Sequence, residues 1–201
     1  MTRKKKIIIG VSIGAILILS ILALLFINRN YIISYTPTLT IETPQRISIS
    51  KAEDFTLDVT ISSFGEANYP AASMSISFDS SRLEFIGVEE GNVFISNSDG
   101  ETTQKLPNWN YNPEICNKSG KINIMFLDSA GGKNAFSKDF LAEDNNIVLK
   151  LKFRLRNSIH KGDVCDLIFE DAVFAASNES ESLAVTTGTL KVKNGKIVVG
   201  E

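Results

Sequence analysis

The sequence predicts an all-β protein, an antiparallel β-sandwich of about nine strands with jelly-roll topology, preceded by one transmembrane helix. Two observations predict the sandwich: after residue 28 the side chains alternate between apolar and polar, and short turn signals separate the alternating stretches. A third observation, a long uncharged apolar run at residues 7–27, predicts the helix.

The alternation is clearest over residues 147–156, where Leu149 and Leu151 alternate with Lys150 and Lys152. Such a strand buries one face and exposes the other to solvent, as antiparallel sheets do. Residues 55–62 and 73–79 show the same pattern. Further strands are expected at residues 38–42, 83–89, 109–112, 122–128, 165–174 and 183–199.

Turn residues lie between these strands. Asn194-Gly195, between two short apolar stretches, is typical of a two-residue hairpin, so residues 183–199 are expected to double back on themselves. Residues 136–145 leave room for one helical turn, and no longer helical pattern follows residue 28.

The N-terminal segment predicts where the rest of the chain resides. Residues 7–27 would form a helix roughly 30 Å long, about the thickness of the hydrocarbon core of a bilayer. The basic tail at residues 1–6 favours a cytoplasmic N-terminus. A cleaved signal peptide is the alternative, but its apolar region is usually shorter, and residues 25–29 contain no small-residue cleavage site. We therefore expect a single-pass anchor, a spacer at residues 28–36 and an extracellular domain at residues 37–201.

Composition argues against several classes of function. The net charge is −2 and the basic residues beyond the tail are scattered, so we expect no nucleic-acid partner. His160, the single histidine, lies in a turn, and no Gly-x-Ser-x-Gly motif is present, so no catalytic residue is assigned and the protein is not expected to be an enzyme. The sequence shows no His/Cys cluster and no Asp-rich calcium loop, so we expect no metal or cofactor.

The two cysteines, Cys116 and Cys165, leave two alternatives open. An exported pair could form a disulfide, but the sequence does not place their Cα atoms within bridging distance. Two free thiols are the other alternative.

The order of several segments resembles the cohesin family, which assembles cellulosomes. Phe78-Asp79 is followed by Leu83-Glu84 and a strand that ends at Gly91, as in the cohesin signature. The other segments that resemble the family follow in the family's order, at residues 120–129, 136–139, 147–155, 169–175 and 194–199. The resemblance covers about residues 38–199.

Cohesins are binding modules, so the resemblance implies a dockerin partner, which carries its own calcium and is held on one sheet. The sandwich would then display dockerin-bearing, polysaccharide-degrading enzymes at the cell surface. The implied outward positions are Ser75, Ser77, Asp79, Asn123, Met125, Leu127, Asp166, Ile168 and Glu170. Met125 and Leu127 are candidates for the interface core. A one-residue slip would exchange the faces, and residues 122–128 are apolar on both.

The alternative function is a carbohydrate-binding sandwich or a surface adhesion module. Trp109 and Tyr111 lie two residues apart, and on an exposed strand they could stack on the sugar rings of a polysaccharide. They could equally pack over the sandwich as part of a loop.

The anchor can be tested by fractionation. We expect the chain to sediment with membranes, and protease added to intact cells should degrade residues beyond 36, because the basic tail holds the N-terminus inside. Soluble mature protein that begins between residues 24 and 35 would show instead that the segment is cleaved.

Overall fold

Two β-sheets pack face to face in the part of the chain that the structure describes. This computed structural model describes residues 20, 23, 36–43, 46–48, 53–93, 95–96, 102–103, 108–129 and 134–200. Nearly all of these belong to one compact unit, Pro37–Glu201.

The described elements are mostly short strands, which confirms the predicted all-β class. The strands are β1 (Thr38–Ile41), β2 (Ile47–Ser48), β3 (Phe55–Ile61), β4 (Ala71–Phe78), β5 (Leu83–Glu90), β6 (Ile95–Ser96), β7 (Thr102–Thr103), β8 (Lys121–Leu127), β9 (Ile147–Leu155), β10 (Val164–Ala175), β11 (Leu183–Ala184), β12 (Lys191–Lys193) and β13 (Gly195–Gly200). One α-helix, α1 (Pro113–Ser119), and two 3₁₀ turns, Lys138–Phe140 and Glu179–Glu181, accompany them. The first of these turns lies within the range expected from the sequence.

The strands form two large sheets and one separate pair, in which β6 and β7 are antiparallel. The first sheet runs β12-β1-β3-β9-β5, and the second runs β2-β13-β10-β4-β8, with β11 paired to β10. Most neighbours are antiparallel, but β1 pairs with β12, and β13 with β2, in parallel. Strands from the two ends of the domain therefore lie side by side in both sheets.

Aromatic side chains fill the space between the sheets. The rings of Phe78 in the second sheet and Phe153 in the first lie 5.7 Å apart, and Phe85 contacts Phe153 at the same distance. A second group surrounds Phe136, whose ring lies 5.6 Å from that of Phe174. Edge-to-face contacts of this kind add to the stabilisation that burial alone gives.

The hairpin predicted at Asn194-Gly195 is wrong. β12 and β13 belong to different sheets, so the chain crosses from one sheet to the other at this point. The Asn194 side chain accepts the N–H of Phe169 at 3.0 Å. A Cβ on Gly195 would lie only 2.8 Å from Ile41 Cγ2, so glycine is required here by close packing.

Helix α1 was not expected from periodicity, but its ends carry standard signals. The Asn112 side chain accepts the N–H of Ile115, Pro113 occupies the first turn, and Gly120 ends the helix in the left-handed conformation with φ of 68°. Seven residues give too few turns for a hydrophobic period to show.

The helix also closes an exposed edge of the first sheet. β5 is the last strand of that sheet, and the Asn117 carboxamide hydrogen bonds to both backbone groups of Phe85, each at 2.8 Å. The Asn117 side chain thus pairs with the N–H and C=O of Phe85, as a neighbouring strand would. These two groups of the edge strand are then not available for pairing with another chain.

The basic tail, almost all of the predicted transmembrane segment and the spacer lie outside the described residues. Within the described part of the chain, no helix combines the length and apolarity needed to cross a bilayer.

Core and surface positions of β9 should respond differently to truncation. Leu151 is fully buried, so Leu151→Ala should lower the free energy of unfolding by roughly 2–5 kcal/mol through lost burial and a residual cavity. Lys150→Ala, on the solvated face of the same strand, should change it by less than about 0.5 kcal/mol. Urea unfolding midpoints measure both, and the reverse ranking would contradict the register.

Candidate functional site

The candidate site is the outer face of the second sheet, formed by the side chains of β4, β8 and β10 that point away from the first sheet. On β8, Ile122, Ile124 and Phe126 are buried, whereas Met125 and Leu127 are exposed. This settles the phase of β8, and the assumed outward positions on this strand are the observed ones.

The register of the three strands arranges this outer face in four cross-strand rows. Each row takes one side chain from β8, one from β4 and one from β10. The rows are Leu127–Ala71–Ala175, Met125–Ser73–Val173, Asn123–Ser75–Asp171 and Lys121–Ser77–Ile168. The predicted residues Ser75, Ser77, Asn123, Met125, Leu127 and Ile168 are therefore brought together on one surface.

One end of the outer face is apolar. Met125 and Leu127 are 51% and 61% exposed, although large apolar side chains are usually buried. Together with Ala71, Val173 and Ala175 they surround a shallow apolar depression. Contiguous exposed apolar surface of this kind is typical of an interaction site.

The middle of the outer face is an open notch that combines polar and apolar groups, lined chiefly by Ser73, Ser75, Asn110, Asn123, Met125 and Asp171. Ser75 Oγ donates a hydrogen bond to Asn123 Oδ1 at 2.9 Å. Asp171 Oδ1 is buried and accepts no hydrogen bond from the described residues.

The other end of the outer face is charged. Lys121 forms an ion pair with Glu170, and Lys196 on β13 lies 3.8 Å from Asp166. Ile168 is exposed between these pairs. Asp166, Ile168 and Glu170 therefore reach the same surface, as expected from the sequence.

Asp79 lies just beyond the end of β4, where its carboxylate holds a turn. It accepts hydrogen bonds from the Ser81 hydroxyl and the Ser81 N–H, and the Arg82 guanidinium lies 3.5 Å away. The Ser81 hydroxyl bond is the main reason that the pKa of Asp79 is lowered. Part of its hydrogen-bonding capacity is thus committed to the β4–β5 connection.

Trp109 packs in the core, which is one of the two alternatives that the sequence left open. Trp109 is only 6% exposed, and its ring packs 6.0 Å from that of Phe126. The Tyr111 ring packs edge-to-face against the Phe85 ring, with ring centres 5.9 Å apart. The backbone of Asn110 pairs with Met125, which makes Asn110 the residue that borders the outer face. The buried indole offers no surface on which a sugar could stack.

The structure contains no disulfide between Cys116 and Cys165. Both are free and buried, one on α1 and the other on the inner face of β10. Burial raises the pKa of the Cys165 thiol, because a thiolate loses its hydration there. Among the described residues, no three His, Cys, Asp or Glu side chains are grouped so as to hold a metal ion.

Sequence reasoning missed Asp171 and Val173. The register between β10 and β4 shifts between Phe169 and Asp171, so that Glu170 is an extra residue and the strand changes phase after it. Strict alternation from Asp166 would place Asp171 and Val173 on the buried face. The polar Glu170-Asp171 pair was the available signal of a bulge.

Comparison with known families supports these geometric findings. The sequence profile of the cohesin domain matches residues 39–193, most of the chain. The chain belongs to the cohesin domain family. No curated protein matches it.

Solved cohesins share its fold. The sixth cohesin of Acetivibrio cellulolyticus scaffoldin B, solved in complex with a Cel5 dockerin, is 19% identical with a TM-score of 0.57, covering 81% of this chain and 98% of its own. The Coh-OlpC–Doc435 cohesin–dockerin complex from Clostridium thermocellum is 16% identical with a TM-score of 0.58, covering 83% and 94%. CaCohA2 from Clostridium acetobutylicum is 22% identical with a TM-score of 0.54, covering 82% and 91%.

The thiols provide a test of the cysteine assignment. We expect both to react with an alkylating reagent in denaturant without prior reduction, because they are not joined. In the folded domain the reaction should be slow, since both thiols are buried and the pKa of Cys165 is raised. Intact mass after alkylation reports both results, and an unmodified chain in denaturant would show a disulfide.

Proposed function

We propose that this cohesin domain binds a dockerin through the outer face of the second sheet. Membership of the family and its likeness to cohesins solved as dockerin complexes support the class of partner. The domain would then act as a binding module, and its function would lie in the surface that it presents.

The observation that carries the proposal is the contrast between the outer faces of the two sheets. On the first sheet, opposite charges face each other across neighbouring strands, as in Lys150–Asp58 at 3.8 Å and Arg154–Glu84 at 3.9 Å. Arg154 also bonds Asp54 at 2.7 Å. These charged side chains pair with one another, so the outer face of the first sheet is suited to contact with solvent.

Whereas the outer face of the first sheet presents charged pairs, the outer face of the second sheet presents exposed apolar side chains. Met125 and Leu127 lie at one end of its outer face, and Ile168 lies towards the other. Lys121–Glu170 and Lys196–Asp166 border this surface. Exposed apolar side chains beside charged pairs on one surface are typical of a protein–protein interface.

We further propose that residues 7–27 tether the domain to the cell membrane and that the bound dockerin belongs to a polysaccharide-degrading enzyme. The uncharged run and the basic tail before it support the tether. The short spacer would keep the captured enzyme close to the cell surface.

Replacing Leu127 tests the binding face. A few large side chains that lose water on binding carry most of the energy of an interface. Leu127 is a large apolar side chain that is 61% exposed in the free domain, so Leu127→Lys should weaken dockerin binding at least about tenfold. Ile115→Lys is the matched control, because Ile115 on α1 is 59% exposed and lies outside the outer face. It should leave the affinity within about threefold of the unaltered domain.

Titration calorimetry of the purified domain with dockerins of the source organism measures these affinities. Removing calcium should abolish binding by unfolding the dockerin, while the melting temperature of this domain stays unchanged. Equal losses for Leu127→Lys and Ile115→Lys would place the interface elsewhere, and the absence of binding by every dockerin would overturn the proposed function.

A further inference from the structure

The notch in the middle of the outer face contains a buried hydrogen-bond acceptor. Within the part of the chain that the structure describes, no group donates to Asp171 Oδ1. A buried polar atom left unpaired is destabilising, so a partner that donates a hydrogen bond to Asp171 Oδ1 would remove this cost on binding.

The groups around Asp171 Oδ1 also present acceptors. The Ser75 hydroxyl donates its proton to Asn123 Oδ1, 2.9 Å away. The lone pairs of the Ser75 oxygen therefore remain able to accept hydrogen bonds from a bound group. Asn123 Oδ1 retains one lone pair after accepting this bond. Three oxygens of the notch can therefore accept further hydrogen bonds.

Charge balance points to a cation. The described residues of the outer face and its border include three carboxylates, but Lys121 neutralises Glu170 and Lys196 lies beside Asp166. Asp171 forms no ion pair with either lysine. One negative charge at the middle of the face is thus left for the partner to balance.

The lining of the notch suits a side chain with an apolar stem and a charged end. Two serines and two asparagines contribute polar groups, and Met125 contributes apolar surface. We propose that the notch receives a lysine of the bound dockerin, with its methylene stem along Met125 and its ammonium on Asp171. A lysine ammonium has three donors and no acceptor, which matches the three oxygens. This inference rests on the proposed dockerin binding and names the chemistry of its central contact.

Asp171→Asn tests the proposal, because it keeps the shape of the side chain and removes its charge. The matched control is Asp58→Asn, which removes one charge from an ion pair on the outer face of the first sheet, away from the binding face. With a dockerin that binds the unaltered domain, Asp171→Asn should weaken binding at least about tenfold, and Asp58→Asn by less than about threefold. In the free domain, Asp171→Asn should leave the melting temperature unchanged or raise it.

Each dockerin lysine is then replaced by methionine in turn. One replacement should weaken binding to the unaltered domain and have little further effect on Asp171→Asn, since both changes remove the same contact. Equal losses for the two Asn variants, a lower melting temperature for Asp171→Asn, or no coupled lysine would each overturn the proposal while leaving dockerin binding intact. If no dockerin binds the unaltered domain, the proposed function fails and this inference fails with it.

Discussion

The register in which β4 pairs with β8 and β10 is the constraint on which the rest of the site depends. Successive side chains of a strand point to opposite faces, so a slip of one residue would bury Met125 and expose Phe126. Phe126 holds its place because it packs between Trp109 and Phe136 in the core. Aromatic packing on the inside thereby determines which side chains the second sheet presents outside.

The same constraint acts on the bulge in β10. One extra residue at Glu170 lets Phe169 and Ala172 both face the core while Asp171 turns toward the notch. The bulge disturbs the ladder locally, and the Asn194 side chain accepts the Phe169 N–H beside it. The sheet crossing at Asn194 therefore supports the strand that carries much of the binding face.

Alternation of apolar and polar residues was sufficient to predict the strands in which one face is clearly polar. Leu149 and Leu151 alternate with lysines, and the strand predicted over residues 147–156 begins at the same residue as β9 and ends one residue after it. The hairpin prediction at Asn194-Gly195 was wrong because the same dipeptide also suits a connection between two sheets. Glycine is needed there for close packing, not for a hairpin turn. The two alternatives for Trp109 stayed open in the sequence, because only its neighbours in space, Phe126 and Phe136, show that it is buried. Asp171 required knowledge of the bulge, which depends on pairing with β4.

The hydrogen bonds of Asn117 have a consequence for how the domain is produced. Asn117-Lys118-Ser119 matches the acceptor sequence for N-linked glycosylation, whose sugar attaches to the side-chain nitrogen. That nitrogen donates to Phe85 O and Pro113 O, so attaching a glycan removes one of its two hydrogens. A eukaryotic secretory host that modifies Asn117 would loosen the closure of β5, whereas a bacterial host without this pathway would leave it intact.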